Sequence, residues 1–247
     1  MEYTKDNPLR VFEAFAGYGS QSMALKRLRQ ENPEFDFKVV GISEIDKYAV
    51  ASYNAIHGGV KNYGDISKID WSVVPDFDLF TYSFPCTDIS KAGQQRGLEE
   101  GTGTRSSLLW ECRKAIQIKK PKYLLMENVK ALTSEKFMPF FKKWIEELEE
   151  FGYYNFWQIM NAKNYGVPQN RERVFMVSIL IEGNKVQNFK FPSPIKLDKC
   201  LEDCLEGSVD ESFYLNDARV KELLERNDEN KMLEYGYKVC KTVRDSF

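Results

Sequence analysis

An α/β fold is predicted for this chain: a mainly parallel sheet with helices on both faces and an antiparallel last strand. Three observations predict it. Apolar runs of strand length alternate with amphipathic stretches through most of the first 150 positions. Two further apolar runs, "YYNFWQIMNA" and "RERVFMVSIL", are separated only by "KNYGVPQN", so they should pair antiparallel. Finally, glycines, carboxylates and a Pro-Cys pair recur at the ends of the runs, where open α/β sheets place their chemistry.

The elements follow in order. "LRVFEAF" reads as the first strand and "SQSMALKRLRQ" as the first helix. "FKVVGIS" is the second strand and "DKYAVASYNAI" the next helix, with Asp46 as its cap. A third strand should end at "GDIS", near Asp65. "FDLFTYS" follows as a strand, closed by Pro85, since proline cannot donate to a sheet ladder. "SSLLWECRKAIQI" is a helix and "PKYLLMEN" the fifth strand. "EKFMPFFKKWIEELEEF" is the clearest helix: Phe137, Phe140, Phe141, Trp144, Ile145 and Leu148 recur at 3- and 4-residue steps and form one apolar stripe. After Leu180 the pattern changes. "EGNKVQNFKFPSPIKLDK" has no period, and an acidic stretch of short helices follows.

Composition bounds the function. The 247 residues are 43% hydrophobic and 14% aromatic, ample for a globular core. No apolar run is long enough for a membrane span, and the N-terminus lacks the apolar core of a signal peptide, so a cytoplasmic location is expected. Five cysteines at irregular spacing form no disulfide framework. With a single histidine, His57, and no second cysteine pair beside Cys200 and Cys204, no metal site is expected. His57 sits at a helix end before two glycines, a place for a capping residue rather than a base. With a net charge of −2 the chain is not basic, as proteins that grip nucleic acid alone usually are, so any such contact must be local or supplied by something else.

The candidate site residues lie at strand ends. Gly17 and Gly19 follow the first strand and allow a tight turn with close backbone approach to a ligand. Glu44 ends the second strand, where a carboxylate can accept both hydroxyls of a ribose. Asp65 could bond an adenine amino group or simply hold a turn. Cys86 stands just past a strand as a nucleophile or a buried thiol. Glu127 follows an unbroken apolar run, which should raise its pKa and suit it to hold a proton. Arg171 and Arg173, two residues apart, should face one side of a strand with Glu172 opposite. The polar loop Ser90–Ser107, with four glycines, reads as a lid.

Taken together, these blocks resemble the cytosine-C5 DNA methyltransferases of the bacterial restriction-modification type. "FEAFAGYGS", "SEIDKYA", "GDIS", "SFPCTDIS", "MENV" and "VPQNRERVF" occur in the family's order over roughly residues 9–180. The resemblance implies a Rossmann-like, AdoMet-dependent domain at 1–180, with 181–247 a linker and the start of a target-recognition region. It implies that Cys86 adds to C6 of a flipped cytosine while Glu127 holds N3, that Arg171 favours the thiolate, and that Arg173 meets the cytosine O2. Phe15, Gly17, Gly19, Glu44, Ile45, Asp65, Ile66 and Pro85 would form the AdoMet pocket, and Phe84, Asn128 and Gln169 would position the substrate. Glu13, Ser20, Gln21, Thr87 and Ile45 depart from the family pattern. The family's recognition domain and closing Gly-Asn block are not found. The implied partners are therefore double-stranded DNA and a second chain carrying those parts. The alternatives are a non-catalytic module that binds AdoMet or nucleic acid, and a tRNA cytosine methyltransferase.

Overall fold

The computed structural model describes residues 2–85, 108–183 and 188–225. They fall into two compact units, divided at Lys199 and Cys200. The first holds six strands: β1 (Leu9–Ala14), β2 (Phe37–Ser43), β3 (Leu79–Tyr82), β4 (Tyr123–Val129), β5 (Tyr153–Asn161) and β6 (Glu172–Leu180). Its helices are α1 (Ser20–Glu31), α2 (Lys47–His57), α3 (Leu109–Lys119) and α4 (Met138–Glu150).

The strands form one sheet in the order β2-β1-β3-β4-β6-β5. β2, β1, β3 and β4 are parallel, and β6 runs antiparallel between β4 and β5. Both expectations, a mainly parallel sheet and an antiparallel final pair, are met. From β1 the chain first steps outward to β2, then crosses back to β3 on the other side. That reversal opens a crevice at the carboxyl ends of β1 and β3, the place where such sheets bind ligands.

Side-chain alternation splits β1 between two layers. Phe12 and Ala14 enter the larger core with Trp71, Phe77, Phe80, Tyr82, Trp110 of α3, and Phe141 and Trp144 of α4. Leu9 and Val11 pack with Phe35 and Leu25 of α1. Tyr53 of α2 packs with Ala16 and Ile42. Trp144 is fully buried and donates its indole N–H to the Tyr82 hydroxyl at 3.1 Å. The α4 stripe therefore spans the sheet from Tyr82 on parallel β3 to Trp157 on antiparallel β5, and truncating such a side chain costs about 3–5 kcal/mol.

One element differs from expectation. No strand ends at Asp65. The segment makes an isolated bridge between Ile42 and Asn62, then a 3-10 turn at Ile66–Lys68. Gly64 takes a positive φ of 70°, and the Asp65 carboxylate accepts from the amide and hydroxyl of Ser67, so the chain turns before a ladder can form. Glu127 therefore lies on the fourth strand, not the fifth.

Past Leu180 the described residues 181–183 and 188–199 form no helix or strand, yet the segment from 188 on is docked. Phe189 packs on Phe156 of β5 with ring centroids 5.7 Å apart. The Tyr165 hydroxyl donates to the Pro192 carbonyl, and Ile195 N–H donates to Asn164. The second unit holds 3-10 turns at Glu202–Cys204 and Glu211–Phe213 and a helix, α5 (Asp217–Glu225). Among the described residues no helix is long and apolar enough to cross a membrane.

Candidate active site

Two groups of polar residues meet at the crevice. The first is the turn between β1 and α1. Phe15 and Gly17 both take φ of 55°, and Gly19 takes 82°. Gly19 must be glycine: a Cβ there would lie 2.5 Å from Nε2 of His57 and 2.6 Å from the Tyr53 ring. At Gly17 the space a Cβ would fill is open, so backbone is presented to whatever occupies the crevice.

Glu44 closes this turn from the end of β2. Its Oε2 accepts the Gly17 N–H at 2.9 Å, and its Oε1 accepts from Ile45 and Asp46, both at 2.8 Å. A carboxylate offers about four acceptor positions, so roughly one remains for a ligand hydroxyl. Asn62 fixes the Glu44 backbone, accepting from its N–H at 3.1 Å and donating to its carbonyl at 2.8 Å. Asp46 caps α2 as expected, accepting from Tyr48 and Ala49. Ile45 is 78% exposed beside Glu44, and Phe15 is partly buried against the core. Ile66 has its side chain in that core, so only its backbone remains for a ligand. Ser67 hydrogen bonds hold the Asp65 carboxyl below its ordinary pKa.

Beneath the turn lies a buried carboxylate. Glu13 is fully buried on β1 and accepts the Tyr53 hydroxyl at 2.6 Å, the Ser22 hydroxyl at 2.7 Å and the Ser22 N–H at 3.0 Å. Burial and the Glu13 charge push the Tyr53 phenol upward, so it remains a donor. Glu13 thus ties β1 to α1 and α2, which accounts for a charged residue in the middle of an apolar strand.

The second group surrounds Glu127 on β4. Arg173 Nε lies 3.1 Å from its Oε1, and Arg171 lies 4.0 Å away. Glu172 points elsewhere and pairs with Lys130 at 2.9 Å, so the alternation expected of Arg171, Glu172 and Arg173 is what the structure has. The Glu127 carboxyl is pushed up by burial, against the opposing pull of Arg173, Arg171 and a Ser83 hydrogen bond. Ser83 also accepts from Gln21 of α1 at 3.2 Å, so a polar chain crosses from the glycine turn to Glu127.

Asn128 is buried beside Glu127 and donates to the Phe84 carbonyl at 3.0 Å. Phe84 is itself buried and Pro85 half-buried, so the backbone entering position 86 is anchored from below. Gln169 shapes the turn before β6: its N–H donates to Val167 and its carbonyl accepts from Arg171. Asn161 accepts the Arg171 N–H at 3.2 Å. Cys86 and the Ser90–Ser107 loop lie outside the described residues.

The structure therefore brings Glu127, Arg171, Arg173, Asn128 and Phe84 together, and separately Phe15, Gly17, Gly19, Glu44 and Ile45. Sequence reasoning missed the braces: Asn62 behind Glu44, Asn161 behind Arg171, and Ser83 beside Glu127. Asparagine can satisfy a backbone N–H and a backbone C=O at once, so an asparagine next to an irregular site segment was the available signal.

A family model of C-5 cytosine-specific DNA methylases matches residues 9–246. Type II methyltransferase M2.ScrFI of Lactococcus lactis subsp. cremoris is 43% identical over an alignment covering 87% of this chain and 72% of that protein. Type II methyltransferase M.NlaX of Neisseria lactamica is 34% identical, covering 92% and 69%. The S. pombe Dnmt2 methyltransferase has a similar fold, with a TM-score of 0.67 at 22% identity over 89% of this chain and 68% of that one. A methyltransferase of Entamoeba histolytica, EhMeth, gives 0.66 at 19% identity over 86% and 64%. On the family match and the identity to the Lactococcus protein, the chain belongs to the C-5 cytosine-specific DNA methylases.

Proposed function

We propose that this chain methylates C5 of cytosine in double-stranded DNA through a covalent adduct between Cys86 and C6 of the base, with AdoMet as methyl donor. The observation that supports this reading best is Glu127. It is a mostly buried carboxyl with a raised pKa, flanked by two arginines, beside an asparagine that anchors Phe84 two residues before Cys86.

Each group has a task. The Cys86 thiolate forms a bond to C6, and the ring electrons move toward N3, where Glu127 holds the proton that neutralises them. C5 becomes enamine-like and takes the methyl group as its bond to the sulfonium sulfur breaks and leaves a neutral thioether; loss of the C5 proton to water then re-forms the C5–C6 double bond and expels the thiolate, and N3 returns its proton to Glu127. Arg173 holds Glu127 in place and offers its fork to the cytosine O2, and Arg171 supplies positive charge that favours the thiolate. The base must leave the duplex to reach these groups.

The β1–α1 turn fits AdoMet. The open space over Gly17, the spare acceptor position on Glu44 and the exposed Ile45 would take its methionine part, ribose and adenine respectively. When bound, it supplies an electrophilic methyl group. Asp65 would meet the adenine edge.

Base-sequence recognition is assigned in this reading to a segment outside the sheet domain, in the same polypeptide or a second chain. With a net charge of −2 the chain has no overall excess of cations to neutralise phosphates.

The test is a trap. Duplex DNA carrying 5-fluorocytosine at the target should form a stable adduct with the protein and AdoMet, because fluorine cannot leave as the C5 proton does. Cys86→Ser should abolish the adduct and Cys112→Ser should keep it. An adduct that survives Cys86→Ser would sink the assignment.

A further inference from the structure

The single histidine is not the cap of its helix in this structure. Gly58 occupies the cap position after α2, and His57 turns its ring toward the β1–α1 turn. Its Nε2 lies 2.9 Å from the Tyr18 carbonyl oxygen. A carbonyl can only accept, so Nε2 carries a hydrogen and donates it. The other ring nitrogen, Nδ1, is buried and has no hydrogen-bond partner among the described residues. A ring kept for packing alone would be better served without nitrogen, since an unpaired buried polar atom is unfavourable. The donor at Nε2 is therefore what distinguishes histidine here from phenylalanine.

The donor acts on a particular peptide. Tyr18 lies between Gly17, whose N–H is held by Glu44, and Gly19, whose N–H closes the turn onto Ala16 at 2.8 Å. The Tyr18 carbonyl and the Gly19 N–H belong to one peptide group, so His57 and Ala16 hold that peptide from its two ends. The ring is itself fixed: it packs on Tyr53 with centroids 4.6 Å apart, and Tyr53 is bonded to the buried Glu13. Lys26 of α1 donates to the carbonyl of Ile56, the residue before His57, at 2.9 Å. Gly19 leaves room for the ring to approach.

We propose that His57 is a positioning residue for AdoMet, acting through the Tyr18 carbonyl to hold the β1–α1 turn in its binding shape. The inference rests on the AdoMet reading of that turn. Two substitutions separate its parts. His57→Phe keeps a ring packed against Tyr53 and removes the donor, and His57→Gln places an amide N–H near the position of Nε2.

Calorimetry with AdoMet should show Kd raised about threefold to tenfold in His57→Phe, the range of one neutral hydrogen bond, and within about twofold of wild type in His57→Gln. In methyl transfer, KM for AdoMet should rise in His57→Phe while kcat stays within about twofold. Hydrogen exchange on the ligand-free protein gives a readout independent of the cofactor: the Gly19 amide should exchange faster in His57→Phe and recover in His57→Gln. Thermal melting identifies a variant that has lost its fold, and the Gln variant then decides alone. Unchanged Kd and unchanged Gly19 exchange in a folded His57→Phe would overturn the proposal, as would a Gln variant no better than Phe. Wild-type protein that exchanges as expected but binds no AdoMet would overturn the cofactor reading of the turn, and the role toward AdoMet with it.

Discussion

Glu44 and Glu127 are both partly buried carboxylates near the carboxyl ends of parallel strands, yet they are held in opposite ways. Glu44 is held by backbone: three N–H groups, two of them from the next two residues. Glu127 is held by side chains: two arginines of the β6 region, more than 40 positions away, and Ser83. Backbone dipoles fixed by the fold give a carboxylate one orientation and leave its lone pairs to be counted. Cations on a neighbouring strand instead oppose the cost of burial, and here burial wins, so the Glu127 pKa is raised. The first arrangement suits a fixed acceptor for a ligand hydroxyl. The second suits a group that must hold a proton.

The largest effect expected from this contrast is on rate. Glu127→Gln keeps the shape and removes the titration. It should lower single-turnover methyl transfer to duplex DNA by roughly 10²–10⁴, the range of general acid–base assistance, and leave AdoMet affinity within about twofold. An equal loss in AdoMet binding would break the division between the two carboxylates. Glu44→Ala should do the reverse. It removes a charged acceptor from the turn and should weaken AdoMet binding by about 1.5–3 kcal/mol by calorimetry, with a smaller effect on the rate at saturating AdoMet.

The two sites also differ in how far they were legible in the sequence. The Glu44 side was readable because its parts are local: a strand, a glycine turn, a carboxylate and an Asp cap within about 35 positions. The Glu127 side was readable only in part. The two-residue step of Arg171 and Arg173 gave their common face, and the apolar run before Glu127 gave the direction of its pKa. That the arginines face Glu127 depends on β6 inserting between β4 and β5, which the antiparallel expectation allowed but did not require. The strand expected at Asp65 failed because a glycine at positive φ and an Asp-Ser turn overrode a weak apolar pattern. Glu13 was visible only as a departure from a family pattern. Its purpose needs Ser22 and Tyr53, which come from two helices and meet only in the folded chain.

The raised pKa also predicts a stability effect of known sign. A carboxyl whose folded pKa lies above its unfolded value favours the folded state at low pH, where it is protonated in both states. That contribution is lost as pH rises from the ordinary carboxylate range through the raised folded pKa. Wild type should therefore lose stability relative to Glu127→Gln across that window and hold a constant difference above it. Thermal melts of both proteins from acid to neutral pH read this directly. A difference that moves the other way would mean that the arginines outweigh burial.

The smallest effect belongs to Ser83, and it tests which force sets the Glu127 proton. Gln21 donates to the Ser83 oxygen, which leaves the Ser83 hydrogen for Glu127. That bond favours the charged carboxylate and partly offsets burial. Ser83→Ala should raise the Glu127 pKa further, and Arg173→Met should raise it more, because Arg173 is the larger opposing influence. If Glu127 works in its protonated form, kcat falls as pH rises through that pKa, so the alkaline limb of the kcat profile reports it. Ser83→Ala should shift this limb to higher pH by a small amount and Arg173→Met by a larger one. Gln21→Ala, which frees the Ser83 hydroxyl to rotate, should shift it in the same direction by less than Ser83→Ala. A limb that stays fixed in all three variants would assign it to a group other than Glu127, and the contrast between the two carboxylates would then rest on geometry alone.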